Sequence, residues 1–342
     1  MRLDDIEEIK RIDRLTGGLP TSELLVNRIH SSDSEILDIG IPGHYLALTT
    51  DTIVEEVASG LYDDPYQIGW MVVAASMSDL AAVGAEPLGI LLSHTIPDEW
   101  GPEDRNLFRK GILSSCLEHG CPVLGGDLNS GSASFTGTGV GKVERSRVMS
   151  RIGCSRGDIL YTTGPAGLGT AYAIGKMVLK ESVKVTEFLP KARIREGRLI
   201  SGFASSCMDT SDGLISALDH LSRINEVPIR LDPGLLPITE EVERMADSLS
   251  IPPAAFTFSI HGDFELIFSI PAEKEASFIT SARRSGIDPI KIGVFPEDGV
   301  EEGVYFGEKR LHTTVIRNLW DNSSDPGDYA SNLLRLITKY FR

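Results

Sequence analysis

Apolar residues recur at helical spacing in PYQIGWMVVAASMSDLAAVGA (65–85), which opens on a proline and closes near Gly84. They do so again in GPEDRNLFRKGILSSCLEHG (101–120), which has proline and acids at its start and glycine at its end. Strand-like runs stand at HYLALTTD (44–51), LGILLSHT (88–95), CPVLGGD (121–127) and SASFTGTGVGKV (132–143), the last alternating apolar with small polar residues. After Gly153, SRGDILYTTGPAGLGTAYAIGKMVLK starts a fresh strand, turn and helix, and further elements follow to IKIGVF near 290. The tail NLWDNSSDPGDYASNLLRLITKYFR reads as a polar turn and a terminal helix. The pattern predicts an α/β protein without internal repeats, with one domain over 1–150 and a second over 151–342.

Length supports the same division, because 342 residues exceed what one hydrophobic core usually serves. Charge removes whole classes of partner. With 49 acidic against 33 basic residues, the formal charge of -16 argues against a general electrostatic grip on nucleic acid or an anionic membrane. An anionic substrate then needs a local cation. The start, MRLDDIEEIKRIDRL, is charged and amphipathic rather than a signal peptide, and no run of about 18 apolar residues is available for a membrane span. The cytoplasm is the expected compartment. Cys116, Cys121, Cys154 and Cys207 form no CxxC pair and no zinc spacing, so they read as small buried hydrophobes, and the seven histidines are dispersed.

Two glycine-rich stretches invite a nucleotide reading and fail it. GTGVGK (137–142) has Thr136 where a phosphate loop needs its first glycine, and Val143 where it needs Ser or Thr. Its alternation suits a strand, with glycine allowing close backbone approach. GPAGLG (164–169) has the wrong spacing for a dinucleotide fingerprint and lacks the acid about twenty residues on.

Aspartates carry the remaining chemistry. Asp33, Asp51, Asp79, Asp127, Asp209 and Asp212 each stand among small or apolar residues, in SSDSEIL, ALTTD, SMSDLAAVGA, VLGGD and CMDTSDGL. A carboxylate in such surroundings costs several kcal/mol of desolvation unless it is paired, hydrogen-bonded or bound to a cation. Hard divalent cations take carboxylate oxygens and bridge to phosphates, so the series fits a Mg-nucleotide site. Each acid taken singly also fits a helix cap or a turn, and spacing alone does not bring them together.

The segments LALTTDTIVEE, SMSDLAAVGAEPLG, LGGDLNSG, SRIGCSRGDILYTTG, MDTSDGL and HGDFELIFSIP follow, in order, the landmarks of the PurM-like (AIR synthase-related) ATP-binding superfamily. Over roughly residues 25 to 295 the chain resembles most closely its thiamine-monophosphate kinases, which read DTLVEGVHF, SDLAAMGAEP, GGDT, SRSGAKPGD, MDISDGL and GEDYELLF. The resemblance implies a two-domain α/β fold. Its N-terminal sheet would pair with that of a second subunit into a barrel, and its C-terminal domain would be ferredoxin-like. It further implies a homodimer that binds Mg-ATP and transfers phosphoryl to a small phosphorylated acceptor.

Carried over residue by residue, the resemblance places Asp33, Asp51, Asp79, Asp127 and Asp212 at Mg²⁺ positions, with Asp209 close by. Asp127 and Asp212 are implied to be catalytic through their ions. Thr50, Asp51, Gly125, Gly126, Arg151 and Ser211 fall on the nucleotide side, and Asp263 and Glu265 on the acceptor side. The departures gather toward the acceptor. GDDAAVL reads SSDSEIL, EGVHF reads Glu55, Glu56, Val57, Ala58, Ser59, and GGEDYEL reads Ile260 to Leu266 with His261 as a new residue. ATP and Mg²⁺ are therefore firmer expectations than the acceptor. The alternatives are another ATP-using member, resembling aminoimidazole ribonucleotide synthetase or the maturation factor HypE, and a non-catalytic nucleotide binder. An acceptor that is a phosphate monoester is already anionic near pH 7, which explains a site rich in Asp and poor in His.

Overall fold

The computed structural model describes residues 3–179, 187–297 and 299–341. In chain order the elements are α1 (Glu7–Thr16), β1 (Glu35–Leu37), β2 (His44–Thr52), α2 (Val54–Ala58), α3 (Pro65–Ala82), β3 (Glu86–Ile96), α4 (Pro102–His119), β4 (Val123–Ser130) and β5 (Ser134–Glu144). They continue as β6 (Ile159–Thr162), α5 (Leu168–Ile174), α6 (Ile194–Ile200), β7 (Ser206–Asp209), α7 (Leu214–Asn225), β8 (Pro228–Leu231) and α8 (Glu240–Leu249). The run closes with β9 (Leu266–Ile270), α9 (Glu275–Arg284), β10 (Ile290–Val294), β11 (Gly303–Phe306), β12 (Lys309–Arg310), α10 (Thr313–Arg317) and α11 (Pro326–Phe341). The protein is mixed α/β, as the alternation of patterns predicts. Its two compact units are Leu24–Val148 with Thr186–Gly202, and Met1–Glu23 with Met149–Val185 and Phe203–Arg342. No helix among the described residues is long and apolar enough to cross a membrane.

In the first of these units, five strands stand in the order β1-β2-β5-β3-β4, antiparallel except for the parallel pair β3–β4. The sheet is covered by α3, which is apolar on almost every side and correspondingly buried along its length. Asp64 caps its start by accepting from Tyr66 N–H at 2.7 Å, and Gly84, at φ +76°, turns the chain away beyond its end. The glycines of GTGVGK make this packing possible. A Cβ on Gly137 would lie 2.5 Å from the Val72 carbonyl of α3, so the alternating small positions of β5 form the floor for the helix. Segment 187–202 is tied to the same unit by Gln67 Nε2 donating to Phe188 O at 2.9 Å and Trp70 Nε1 donating to Pro190 O at 2.8 Å.

His94 of β3 stands under this helical layer, 6% exposed, with the rings of Phe108 and Phe135 at 5.0 and 5.9 Å. Neither ring nitrogen has a hydrogen-bond partner among the described residues. Burial pushes its pKa down to about 4, so the imidazole is neutral in the fold.

The other unit holds seven strands in the order β12-β11-β8-β10-β6-β9-β7, with only β11–β8 parallel. Its core runs from Leu160 of β6 through Ile215 and Leu218 of α7 to Phe256, Phe258 and the C-terminal Tyr329. Asp219 of α7, 2% exposed, fastens the helices around it. It accepts from Arg223 Nε at 2.8 Å, from Thr313 Oγ1 at 2.6 Å and from Arg317 Nη1 at 3.1 Å. Arg223 in turn reaches Asp5 Oδ1 at 2.7 Å. A buried carboxylate between two guanidiniums is compensated only while all partners remain.

Two outcomes follow from these buried charges. Asp219→Ala should lower stability by about 3 kcal/mol, because it takes the carboxylate from buried Arg317 and one of two from Arg223, which keeps Asp5; the check is the denaturation midpoint at unchanged slope, and a shift below about 1 kcal/mol would refute the network's role. His94 makes stability fall as the pH drops. From its ordinary 6.5 down to about 4, the unfolded chain takes up a proton that the buried ring does not, removing up to on the order of 3 kcal/mol across that window. His94→Phe should flatten this part of the pH–stability curve relative to the parent.

Candidate functional site

Four of the predicted metal-binding acids lie in the unit with the five-stranded sheet. Asp33 precedes β1 and Asp79 sits in the last turn of α3. The fold brings them together, each offering a carboxylate oxygen within 4.8 Å of the other's. Two carboxylates this close repel unless a proton or a cation lies between them, and oxygen donors of this kind suit a hard divalent ion. Thr49 Oγ1 donates to Asp79 Oδ2, which fixes the carboxylate's orientation. Asp51 follows two residues after Thr49 on β2, hence on the same face of the sheet.

Asp127 stands elsewhere on that sheet. Asp51 pairs with Gly137 on β5, Gly137 with Leu92 on β3, and Leu92 with Gly126 on β4. Three strand pairings along the sheet thus lie between the two acids. Asp127 is exposed on β4 and accepts from Asn129 Nδ2 at 2.9 Å. Gly126 is demanded by strand packing, since a Cβ there would fall 1.8 Å from the Leu92 carbonyl; Gly125 precedes it on the same strand. Thr50 spends its hydroxyl within the sheet, donating to Gly137 O at 3.3 Å.

The remaining acids lie in the unit with the seven-stranded sheet. Asp209 ends β7, 2% exposed, and accepts from Ser211 Oγ at 3.0 Å. Asp212 projects at the exposed tip of the turn before α7. Loop 259–265 lies on this turn at backbone contact. Gly262 N–H donates to Ser211 O at 3.1 Å, Thr210 N–H donates to Glu265 O at 2.8 Å, and Thr210 Oγ1 accepts from Glu265 N–H at 3.0 Å. A Cβ on Gly262 would lie 1.5 Å from Thr210 O, and one on Gly213 2.1 Å from Ser259 O.

Asp263 and Glu265 hold this loop to its neighbours. Asp263 accepts from the amides of Gly167 and Gly169 at 2.8 Å each, closing the N-terminus of α5. GPAGLG thus does bind a carboxylate, but one from its own chain. Burial pushes the Asp263 pKa up to about 6. Glu265 accepts from Thr163 Oγ1 at 2.6 Å. Between them Phe264 is held at φ +59°, a strained conformation for an aromatic residue. Arg151 is held by its backbone, its carbonyl accepting from Asn225 Nδ2 at 2.8 Å.

Two members of the site carry no motif. Glu8 of α1 lies beside Asp212, whose charge, followed by the crowding of its surroundings, raises the Glu8 pKa to about 7; Arg317, Arg11 and Arg151 oppose that rise. Tyr329 of α11 shares a 2.7 Å hydrogen bond with His261 Nε2. Burial pushes the His261 pKa down to about 4, so its ring is neutral. Neither contact could be read from residue spacing, because both join the loops to distant ends of the chain. Each unit by itself offers carboxylates and backbone amides, donor types suited to hard cations and to the phosphate groups they carry.

A family model described as AIR synthase related protein, N-terminal domain, matches residues 31–143. The thiamine-monophosphate kinase of Buchnera aphidicola subsp. Acyrthosiphon pisum is 30% identical over 258 residues, covering 72% of this chain and 78% of that protein. The thiamine-monophosphate kinase of Haemophilus influenzae is 31% identical over 248 residues, 69% of this chain and 73% of its own. Among solved structures, AaThiL complexed with AMPPCP and TMP superposes with a TM-score of 0.73 at 25% identity, covering 91% of this chain and 97% of that one.

The proximity of Glu8 to Asp212 has a direct readout. Asp212→Asn should return the Glu8 pKa toward its ordinary 4.5, followed by carboxyl-carbon NMR across a pH titration. A Glu8 that still titrates near neutrality in this variant would assign the shift to packing instead.

Proposed function

The chain belongs to the thiamine-monophosphate kinase family, and from that premise we propose that it moves the terminal phosphoryl group of ATP onto thiamine monophosphate, with Mg²⁺ held by its aspartates. It is an ATP-dependent phosphotransferase. The observation that carries the metal reading is the convergence of Asp33 and Asp79, distant in sequence, to within 4.8 Å. The donor set is all oxygen, which fits Mg²⁺. Bound there, Mg²⁺ would neutralise phosphate charge and hold the donor for in-line transfer.

The chain's own residues supply the rest. Asp33 and Asp79, with Asp51 on the same strand face as Thr49, are the proposed first set of ligands. Asp127, Asp209 and Asp212 are proposed for further ions. Thr50, Gly125, Gly126, Arg151 and Ser211 are assigned to the nucleotide side. Loop 259–265, with Asp263 and Glu265 as its supports, is assigned to the acceptor. An oxygen of the acceptor's phosphate attacks the terminal phosphorus of ATP, the bond to the bridging oxygen breaks, and ADP leaves. That oxygen is already ionised near pH 7, so no side chain has to remove a proton. The complex of a relative with the ATP mimic AMPPCP and TMP supports a donor and an acceptor bound at once.

A homodimer belongs to the same proposal. All eight residues of edge strand β4 are exposed, and Leu91, Leu124 and Leu128 lie open at 43%, 52% and 67% exposure. A long apolar edge invites strand pairing, and a second copy would close the sheet into the barrel that the family resemblance implies. A ferredoxin-like arrangement of the seven-stranded unit and a cytoplasmic location, where ATP is available, complete the reading.

The test is acceptor-dependent turnover. With Mg²⁺ and ATP, ADP should form only when thiamine monophosphate is present, with thiamine diphosphate as co-product by mass spectrometry. Asp127→Asn and Asp212→Asn should each slow this at least about 100-fold, with circular dichroism unchanged. Equal ADP formation without acceptor, or full activity in both variants, would defeat the proposal.

A further inference from the structure

The contact between Tyr329 and His261 joins the C-terminal helix to the loop that lies against the turn carrying two of the proposed metal ligands. Tyr329 is fully buried. Its ring packs edge-on against Trp320 at 5.0 Å and against His261 at 5.5 Å, and its hydroxyl meets His261 Nε2 at 2.7 Å. Asp325 anchors the start of that helix, accepting from the amides of Gly327 and Asp328 at 2.9 and 3.0 Å.

His261 is equally constrained from its own side. Its amide donates to Ser259 Oγ at 2.9 Å, and its carbonyl accepts from Thr170 Oγ1 at 3.3 Å. The next residue, Gly262, donates to Ser211 O, and Ser211 Oγ donates to Asp209 Oδ1. Side chain, loop and turn thus form one short path from Tyr329 to Asp209. Gly262 and Gly213 make it stiff, because backbone meets backbone with no space for a side chain.

We propose that Tyr329 and His261 form a hydroxyl–imidazole latch that positions the Asp209–Gly213 turn, so that the C-terminal helix sets the geometry in which Asp209 and Asp212 receive a divalent cation. This rests on the reading of those acids as metal ligands. His261 is one of the residues at which this loop departs from its family's landmark, and the latch gives that departure a use. Both are positioning residues, acting on the cation through the turn. The half-buried ring stays neutral, which lets it share a hydrogen bond with the buried hydroxyl without placing a charge beside it.

Tyr329→Phe removes one oxygen and keeps the ring. Mn²⁺ titrated into the full chain, with the free ion followed by electron paramagnetic resonance, reports cation affinity without turnover. The latch requires Mn²⁺ binding roughly tenfold weaker in Tyr329→Phe. It also requires faster amide exchange at residues 209–213, and a kcat that falls while KM for the acceptor holds. A purely structural tyrosine would lower the melting temperature and leave Mn²⁺ affinity alone. If Tyr329→Phe does not fold, His261→Gln, whose amide still reaches the hydroxyl, should keep the parent affinity while His261→Leu loses it. Unchanged affinity and exchange in folded Tyr329→Phe, or equal affinity in the two His261 variants, overturns the latch. A parent that binds Mn²⁺ but transfers no phosphoryl group overturns the kinase reading instead, and a parent that binds no Mn²⁺ overturns both.

Discussion

Backbone pressed against backbone is the constraint on which the proposed chemistry of the seven-stranded unit depends. Loop 259–265 and the Thr210–Gly213 turn approach until Gly262 and Gly213 have no space for a side chain. At that range the Gly262 amide of the loop reaches the Ser211 carbonyl, and the Thr210 amide of the turn reaches the Glu265 carbonyl. Polar atoms that would otherwise be stranded on desolvation are satisfied by each other, which keeps Asp209 buried yet oriented. The same closeness forces Phe264 into the left-handed region, a strain on the order of 1–3 kcal/mol that surrounding hydrogen bonds must offset. Strain held in this way is what makes a loop a rigid platform.

A similar economy governs the five-stranded unit, where small residues of β5 let α3 sink onto the sheet. The depth of that helix determines where Asp79 lies, and Thr49 on the adjoining strand then holds its carboxylate. Asp33 arrives from the chain before β1. Such acids are costly to bring together without a counter-charge, and their convergence supports the proposed role as cation ligands. The buried Asp219, ringed by Arg223, Arg317 and Thr313, is the contrast. Its compensation is complete, and its role is to hold helices together.

Much of this was legible in the residues. The period of 65–85 marked α3 and the alternation of 132–143 marked β5, because hydrophobic spacing reports directly on which face is covered. Glycine was read correctly as a device for close approach in GTGVGK. In GPAGLG the rejection of a dinucleotide fingerprint left the segment without a role, and the fold supplies one: its amides close on Asp263. The His261–Tyr329 bond and the nearness of Glu8 to Asp212 left no trace in spacing. Each pairs a motif with a terminal helix whose own sequence reads only as amphipathic.

What the sequence by itself determined is local form and family: which segments are helix or strand, where aspartates recur among small or apolar neighbours, and which family the motifs resemble. Those properties are local, set by a residue and its near neighbours. Only the tertiary structure decided that Asp33 meets Asp79, that three strand pairings lie between Asp51 and Asp127, and that the C-terminal helix grips the loop beside Asp209. Distances of that kind depend on how strands register and how deeply helices pack. Register and depth are in turn set by contacts between residues remote along the chain, which no short window of sequence contains.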